Sequence, residues 1–367
     1  DARIPAVVGG RRVGRRDHGR VGAAQGERWS HRAGRGADAQ AFGARRQVQA
    51  EPAAERAAEP AAEPAAEPAA EPAAGSTALE LPGMPPRLYL ASPSRLLSWL
   101  TCPRQYRFAY LDRPRPTARP QRAHTSLGIS VHNALRDWWT LDPARRTPGE
   151  AAALVRSGWI PVGYRDEGHS AHWRARAAAE AAAYLAANPP TDEPVGTERT
   201  VAVKLDGLAL TGRVDRLDAR LRTDDPGRYE LVVVDYKTSR RPLHPDDART
   251  SLPLALYAAA VWRMFRRRCV RVELHHVPTG AVLAHEHTEE SLRRKLAEAT
   301  SIASDLRKAD AQYAEQGVDA PLLGPSPSPL CRWCDYRAHC PDGQQMGPEQ
   351  SSWAALDSED APASWEE

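Results

Sequence analysis

Two short stretches hold the residues best suited to chemistry. Gly212-Arg213-Val214-Asp215 is followed, after a turn near Asp224-Asp225-Pro226-Gly227, by Val232-Val233-Val234-Asp235-Tyr236-Lys237. Asp215 is expected to end one strand and Asp235 the next, which brings two carboxylates together at adjacent strand ends. Such a pair repels itself unless a divalent cation lies between its members, and hard oxygen donors favour Mg²⁺ or Mn²⁺. Lys237 follows Asp235 by two residues, so on a strand both point to one face. An ammonium there can orient an attacking water or neutralise charge on a phosphoryl oxygen. Lysine usage adds weight, because Lys204, Lys237, Lys295 and Lys308 are the only lysines among 50 basic residues. Lysine thus stands where a compact ammonium is chemically apt. A strand ending in solvated charges is the ordinary alternative. Gly212-x-x-Asp215 twenty residues before Asp235, with an apolar strand between, argues against it.

The cysteines form the second constellation. Cys331-x2-Cys334-x5-Cys340 is a compact triad, and Cys102 lies 229 positions before its first member. Three neighbouring thiolates and one distant one can close a four-thiolate site for Zn²⁺ or for an iron–sulfur cluster. Cys102 precedes a proline in a basic, aromatic segment and has the better claim to the fourth place. Cys269 sits at a helix-to-strand junction, where a buried thiol is the ordinary reading.

The elements that must position these residues follow from capping and periodicity. Ser92-Pro93 sets a capping hydroxyl before a proline, which predicts a helix to about Tyr110. Further helices are expected over 126–140 and 170–187, the latter ending at Pro189-Pro190. The period then changes to that of strands. Val201, Val203 and Leu205 alternate, as do Leu208, Leu210 and Val214, and Leu231 to Val234 is continuously apolar, reading as two half-buried strands and a buried central one. A helix over 246–265, strands over 270–278 and 281–287, and a helix over 289–308 complete the order. That last helix places Leu292, Leu296, Ala299, Ala303 and Leu306 on one face. The pattern predicts a mixed-sheet α/β or α+β domain.

The net charge of +3 conceals unlike regions. Residues 1–50 carry +7, a Glu-Pro-Ala-Ala repeat over 51–74 carries −5, residues 341–367 carry −7, and 75–340 is left at +8. The expected organisation is a disordered arm and linker over 1–80, a basic folded domain over 89–340, and a disordered acidic tail over 341–367. The longest apolar run, Leu252 to Trp262, is about half the ~20 residues of a membrane span. With five cysteines and no apolar leader block, the chain reads as a cytoplasmic protein rather than a membrane protein or a disulfide scaffold.

Together the two constellations resemble the RecB-type nucleases of the PD-(D/E)XK superfamily. The likeness is to the branch carrying an iron–sulfur cluster, which includes AddB-type helicase–nuclease subunits and CRISPR-associated iron–sulfur exonucleases. It runs from Ser92 to Cys340. It implies a restriction-endonuclease-like mixed sheet flanked by helices, acting as a metal-dependent DNA exonuclease in repair or recombination. Gly128-Ile-Ser-Val-His132 fits the family's Gly-x-x-x-His motif, making His132 a metal ligand; read alone it is an ordinary helix histidine. Asp215, Asp235 and the Tyr236 carbonyl complete the implied site for Mg²⁺ or Mn²⁺, and Lys237 is the implied catalytic ammonium. Cys102, Cys331, Cys334 and Cys340 match the ligands of a [4Fe-4S] cluster that staples the chain ends; Zn²⁺ is the alternative. Arg104, Arg107, Arg240 and Arg241 are candidate backbone contacts to DNA, and Tyr106 a candidate for base stacking. Tyr257 matches the tyrosine of the family's Gln-x-x-x-Tyr motif and is a further candidate DNA contact, but Pro253 replaces the glutamine, so the helix should start later. No Walker A pattern occurs, so a helicase or other repair subunit is the implied partner. The rival reading is a DNA-binding module that retains the cluster without cleaving.

Overall fold

A computed structural model describes residues 88–357 apart from 191, 223, 224 and 226. The arm and linker expected over 1–80 lie outside the described residues, as does 358–367.

Six strands form one mixed sheet. β1 (Tyr89–Ala91) runs parallel to β3 (Leu208–Leu221), while β2 (Gly196–Leu205) and β4 (Tyr229–Lys237) run antiparallel to it. β5 (Arg271–His276) joins β4 in parallel, and β6 (Ala281–Glu286) pairs antiparallel with β5. β2 follows β3 over Leu208–Leu217 on one edge. The other edge is divided, with β1 taking Leu208–Leu210 and β4 taking Arg216–Leu221. Among the described residues no strand pairs with 211–215 on that divided edge, and the sheet opens there.

Helices cover both faces, so the central strand can be apolar throughout. Leu231 and Val233 of β4 pack with α1 (Pro93–Thr101), α7 (Leu252–Phe265) and α8 (Glu289–Gln316). Val232, Val234 and Tyr236 pack with α3 (Ala123–Thr140), α4 (Pro148–Ser157) and α5 (Glu167–Ala187). All five apolar positions expected on the last helix are buried.

Two expected helices are interrupted, and prolines explain both. The helix predicted from Pro93 to Tyr110 stops at Thr101. Cys102 is extended at φ −165°, and α2 (Pro103–Tyr106) restarts with the proline before an irregular turn over Arg107–Leu111. A proline disfavours helical geometry at the residue before it. Likewise 246–265 divides into α6 (Asp247–Thr250) and α7, where the Ser251 hydroxyl accepts from the Leu254 amide at 3.3 Å and Pro253 occupies the first turn.

The expected acidic tail needs correction. Residues 341–357 pack against the domain through α9 (Pro341–Gln344) and α10 (Ala354–Asp357), with Ala355 and Leu356 buried. Two of its acids meet cations rather than repel, Asp342 with Arg104 and Glu349 with Arg119, each at 2.6 Å, and Asp357 lies 3.3 Å from His169 Nε2. No described helix is long and apolar enough to cross a membrane.

Glu273 on β5 anchors a buried ionic network. Arg220 donates to both its oxygens at 2.6 and 2.8 Å, Arg271 at 2.8 Å and His275 Nε2 at 3.0 Å, while Tyr184 donates to His275 Nδ1 at 2.6 Å. Burial alone would raise this carboxyl, but the His275 and Arg220 hydrogen bonds and the Arg220 charge hold it well below the usual carboxylate range. A carboxylate depressed in the folded state stabilises above its unfolded pKa of about 4.3, and that contribution fades as pH falls through and below it. Glu273→Ala is therefore expected to destabilise by about 1–3 kcal/mol at pH 7, because Arg220 and Arg271 are partly exposed and keep Asp218 and Glu286 as partners while His275 loses its buried acceptor. The gap should narrow below about pH 4. Denaturant melts of both proteins across pH 3–8 check this, and a constant gap would rule the network out as the source.

Candidate active site

The site forms where β3 and β4 diverge. Asp215 does not end a strand as expected; it lies within β3, just before pairing with β4 begins at Arg216. Its Oδ2 accepts from the Tyr236 amide at 2.8 Å, so a side chain replaces the missing strand partner. Asp235 and Lys237 share one face of β4, with Lys237 Nζ 3.4 Å from Asp235 Oδ2.

His132 arrives from α3. Its Nε2 donates to the Tyr236 carbonyl at 3.0 Å, and Nδ1 faces Asp215 Oδ1 at 3.5 Å. Gly128, one turn earlier, explains the approach: a Cβ there would lie 3.3 Å from Thr238 Oγ1, just past the end of β4. Gly212 has a comparable role on the other face. A Cβ there would fall 2.4 Å from Tyr257 Cε1, so α7 lays Tyr257 against bare β3 backbone. Tyr257 is thereby a packing partner of the site-bearing strand.

Glu198 joins the site, although a strand start at this position reads by default as a solvated charge. His132, Glu198 and Asp215 each offer a ligand atom within 4.8 Å of the others. Register explains the placement. The Asp206-Gly207 turn, with Gly207 at φ +73°, pairs Leu205 with Leu208, and counting back sets Glu198 opposite Asp215. Glu198 itself has φ +47°, a strained left-handed conformation for a residue with a Cβ. The Asp-Gly hairpin signal was the sequence clue that locates it.

The electrostatics show a site short of positive charge. Burial lowers the His132 pKa, but Asp215, Asp235 and Glu198 outweigh it and push the value up to about 9. Burial raises Asp235, reinforced by Asp215 and opposed by Lys237. Asp215 lies below the carboxylate range despite its burial, held there by His132, the Tyr236 amide and Lys237. Burial and Asp215 raise Glu198. Asp235 Oδ2 is buried, makes no hydrogen bond in good geometry and faces the Lys237 ammonium at 3.4 Å. A buried carboxylate beside Asp215, itself grouped with His132 and Glu198, fits a hard divalent cation.

The cysteines gather at a second place. All four of Cys102, Cys331, Cys334 and Cys340 line one cavity, and Cys269 is separate and fully buried in the core. Backbone amides point at three sulfurs: Ser326 to Cys102 and Ser328 to Cys331 at 3.4 Å, and Gly343 to Cys340 at 3.3 Å. Burial, then Cys102, Asp335 and Cys331, push the Cys334 thiol up to about 11. Amide donors aimed at clustered sulfurs suit thiolates on a metal centre.

The candidate DNA contacts separate into two groups. Tyr106 is fully buried, hydrogen-bonded to Asp310 at 2.7 Å and to Arg95 and Tyr89 at 2.9 Å, so its ring is not available to stack on a base. Arg107 pairs with Asp112 at 3.2 Å and is largely buried. Arg104, through Asp342 and a 3.9 Å approach to Cys340 Sγ, belongs to the cysteine site. Arg240 and Arg241 are exposed, Arg240 lying 5.0 Å over the Trp173 ring and Arg241 3.7 Å from Asp247.

A mixed sheet between helical layers, with carboxylates, a histidine and a lysine at its opening, defines a nuclease-type domain. The chain matches the PD-(D/E)XK nuclease superfamily over residues 90–341 and belongs to it. No curated protein matches it significantly. Among solved structures it is similar to a candidate exonuclease from Eubacterium rectale, at 13% identity and a TM-score of 0.39, covering 68% of this chain and 88% of that one. It is also similar to SSO0001, at 14% identity and a TM-score of 0.26, covering 70% and 88%.

Proposed function

We propose that this protein is a Mg²⁺- or Mn²⁺-dependent DNA exonuclease of the RecB type, braced by a [4Fe-4S] cluster and acting in repair or recombination. The observation that carries the reading is the convergence of His132, Glu198, Asp215, Asp235 and Lys237 at the open edge of β3. His132, Glu198, Asp215 and Asp235, with the Tyr236 carbonyl, would hold the cation. When bound, the cation lowers the pKa of a water and offsets charge on the scissile phosphate. Lys237 orients the attacking water and neutralises developing phosphoryl charge from its place beside Asp235. The Tyr236 main chain fixes Asp215 through its amide and His132 through its carbonyl, so the ligands are set before substrate arrives.

A cluster is favoured over Zn²⁺ by the sequence spacing, since Cys331-x2-Cys334-x5-Cys340 and the distant Cys102 offer no second Cys-x2-Cys pair of the kind zinc ribbons use. A helicase or other repair subunit is the partner expected for such a domain.

The test is hydrolysis of 5′- and 3′-labelled single- and double-stranded DNA with Mg²⁺, Mn²⁺ or chelator. Metal-dependent release of short products from an end supports the reading. Binding without cleavage under every metal would leave only a DNA-binding module.

A further inference from the structure

We propose that the cleft between α1, the 119–125 segment and the cysteine loop is a subsite for the single-stranded end of a DNA substrate, with Trp333 as its stacking surface. The proposal rests on the nuclease reading above and extends it to how a strand is held. The cleft encloses about 310 Å³, the size of a small-ligand pocket. Ser94, Ser98 and Thr101 form one wall, Arg122 and Thr125 a second, and Trp333 a third. Hydroxyls with one indole suit a nucleotide chain, because every base presents a π face and stacking needs no sequence match. Three walls around so small a space admit one strand and exclude a duplex.

Arg122 supplies the charge. It is 5% exposed, and its guanidinium lies 5.5 Å over the Trp333 ring. Nε meets Asp335 at 3.4 Å and Nη2 donates to the Trp333 carbonyl, but Nη1 is buried without a partner. Asp335 is half-exposed, so it compensates this cation incompletely. Burial correspondingly holds Arg122 below its ordinary pKa. A phosphate in the cleft offsets that charge through the low-dielectric wall.

The cleft leads to the carboxylates. Thr125 lines it, and Gly128 and His132 follow at three and seven residues along α3, on the same helix face. Seven residues of helix rise about 10 Å. A strand seated against Trp333 therefore reaches the site within a few nucleotides.

Binding is measured in an Asp235→Ala background, so that cleavage does not intervene, with a fluorescent oligo(dT) and a blunt hairpin duplex as probes. Trp333→Ala is expected to weaken oligo(dT) binding roughly ten-fold, with the duplex nearly unaffected. Trp333 adjoins Cys334, so iron content and melting temperature accompany that variant. Ser94, exposed in the first turn of α1 and eight residues before Cys102, gives a second measure. Ser94→Glu should weaken and Ser94→Arg tighten oligo(dT) binding, both effects shrinking at high salt. Unchanged oligo(dT) affinity in Ser94→Glu and in metal-replete Trp333→Ala overturns the subsite, as does an equal loss for duplex. Failure of the nuclease reading looks different: the wild-type protein cleaves no DNA, while oligo(dT) binding still responds to Trp333.

Discussion

Asp235→Ala and Lys237→Ala are each expected to lower DNA cleavage by about 10³-fold or more, while DNA binding under chelating conditions stays within a few-fold of wild type. The two side chains lie 3.4 Å apart on one face of β4 and have different tasks. Asp235 contributes a buried carboxylate whose charge Asp215 opposes and Lys237 only partly offsets, the feature that most calls for a cation. Lys237 acts on charge that develops only as the phosphodiester is attacked, so its loss should fall on kcat more than on KM. Neither residue lines the cleft beside Trp333, which is why binding should survive. Cleavage by either variant near the wild-type rate would move the chemistry elsewhere on the protein. A third variant, Glu198→Gln, separates the tight ligand group from the sequence motif. It should raise the metal concentration needed for half-maximal activity, whereas a merely structural Glu198 would leave that concentration unchanged.

Much of this site was legible because two of its residues sit in a strand with an unambiguous pattern. Leu231 to Val234 reads as a strand buried on both faces, and the same alternation assigns Asp235 and Lys237 to one side. Gly128 and Gly212 stood in the motifs as spacers, but their reasons are tertiary: one admits α3 to the end of β4, the other makes room for Tyr257. Asp215 was misplaced at a strand end because period-2 alternation cannot show that β3 continues past the point where its partner changes. Glu198, opening the first strand, could approach the metals, but its local context favours a solvated charge. The Asp206-Gly207 hairpin register was needed to set it opposite Asp215. The basic aromatic segment misled in another way. Tyr106 and Arg107 have the composition of a nucleic-acid contact, yet the turn after Pro103 directs them into buried pairs with Asp310 and Asp112. Composition does not say which way a broken helix points. The acidic C-terminal stretch misled similarly, since Asp342 and Glu349 find arginine partners that are distant in sequence.

Cys102→Ser is expected to lose iron and melt at a much lower temperature, whereas Cys269→Ser should retain iron and change little. Cys102 interrupts the N-terminal helix at the residue before Pro103, and its sulfur accepts the Ser326 amide across 224 residues of sequence. It shares a cavity with Cys331, Cys334 and Cys340, and burial together with its charge and those of Asp335 and Cys331 disfavours the Cys334 thiolate. A metal centre reverses that penalty, because its positive charge stabilises thiolates that would otherwise be protonated. Ligands from both ends of the domain assemble only in the folded chain, so cluster binding becomes folding free energy. The segment so tied also holds the start of α3. Arg119 donates its amide to the Asp335 carbonyl at 2.9 Å, Arg122 bonds the Trp333 carbonyl, and Ala123 donates to the Ser352 carbonyl at 3.0 Å. His132 stands nine residues further along that helix, so loss of the cluster should reduce metal-dependent cleavage as well as stability. Cys269 is fully buried in the core away from that cavity, and burial raises its thiol far above the usual range, the state of a small apolar side chain. Iron content, visible absorbance after anaerobic purification and thermal melting distinguish the two variants. Full iron retention in Cys102→Ser would confine the centre to the three C-terminal cysteines and leave the N-terminal helix unstapled; a colourless wild-type protein containing zinc would replace the cluster while keeping the staple.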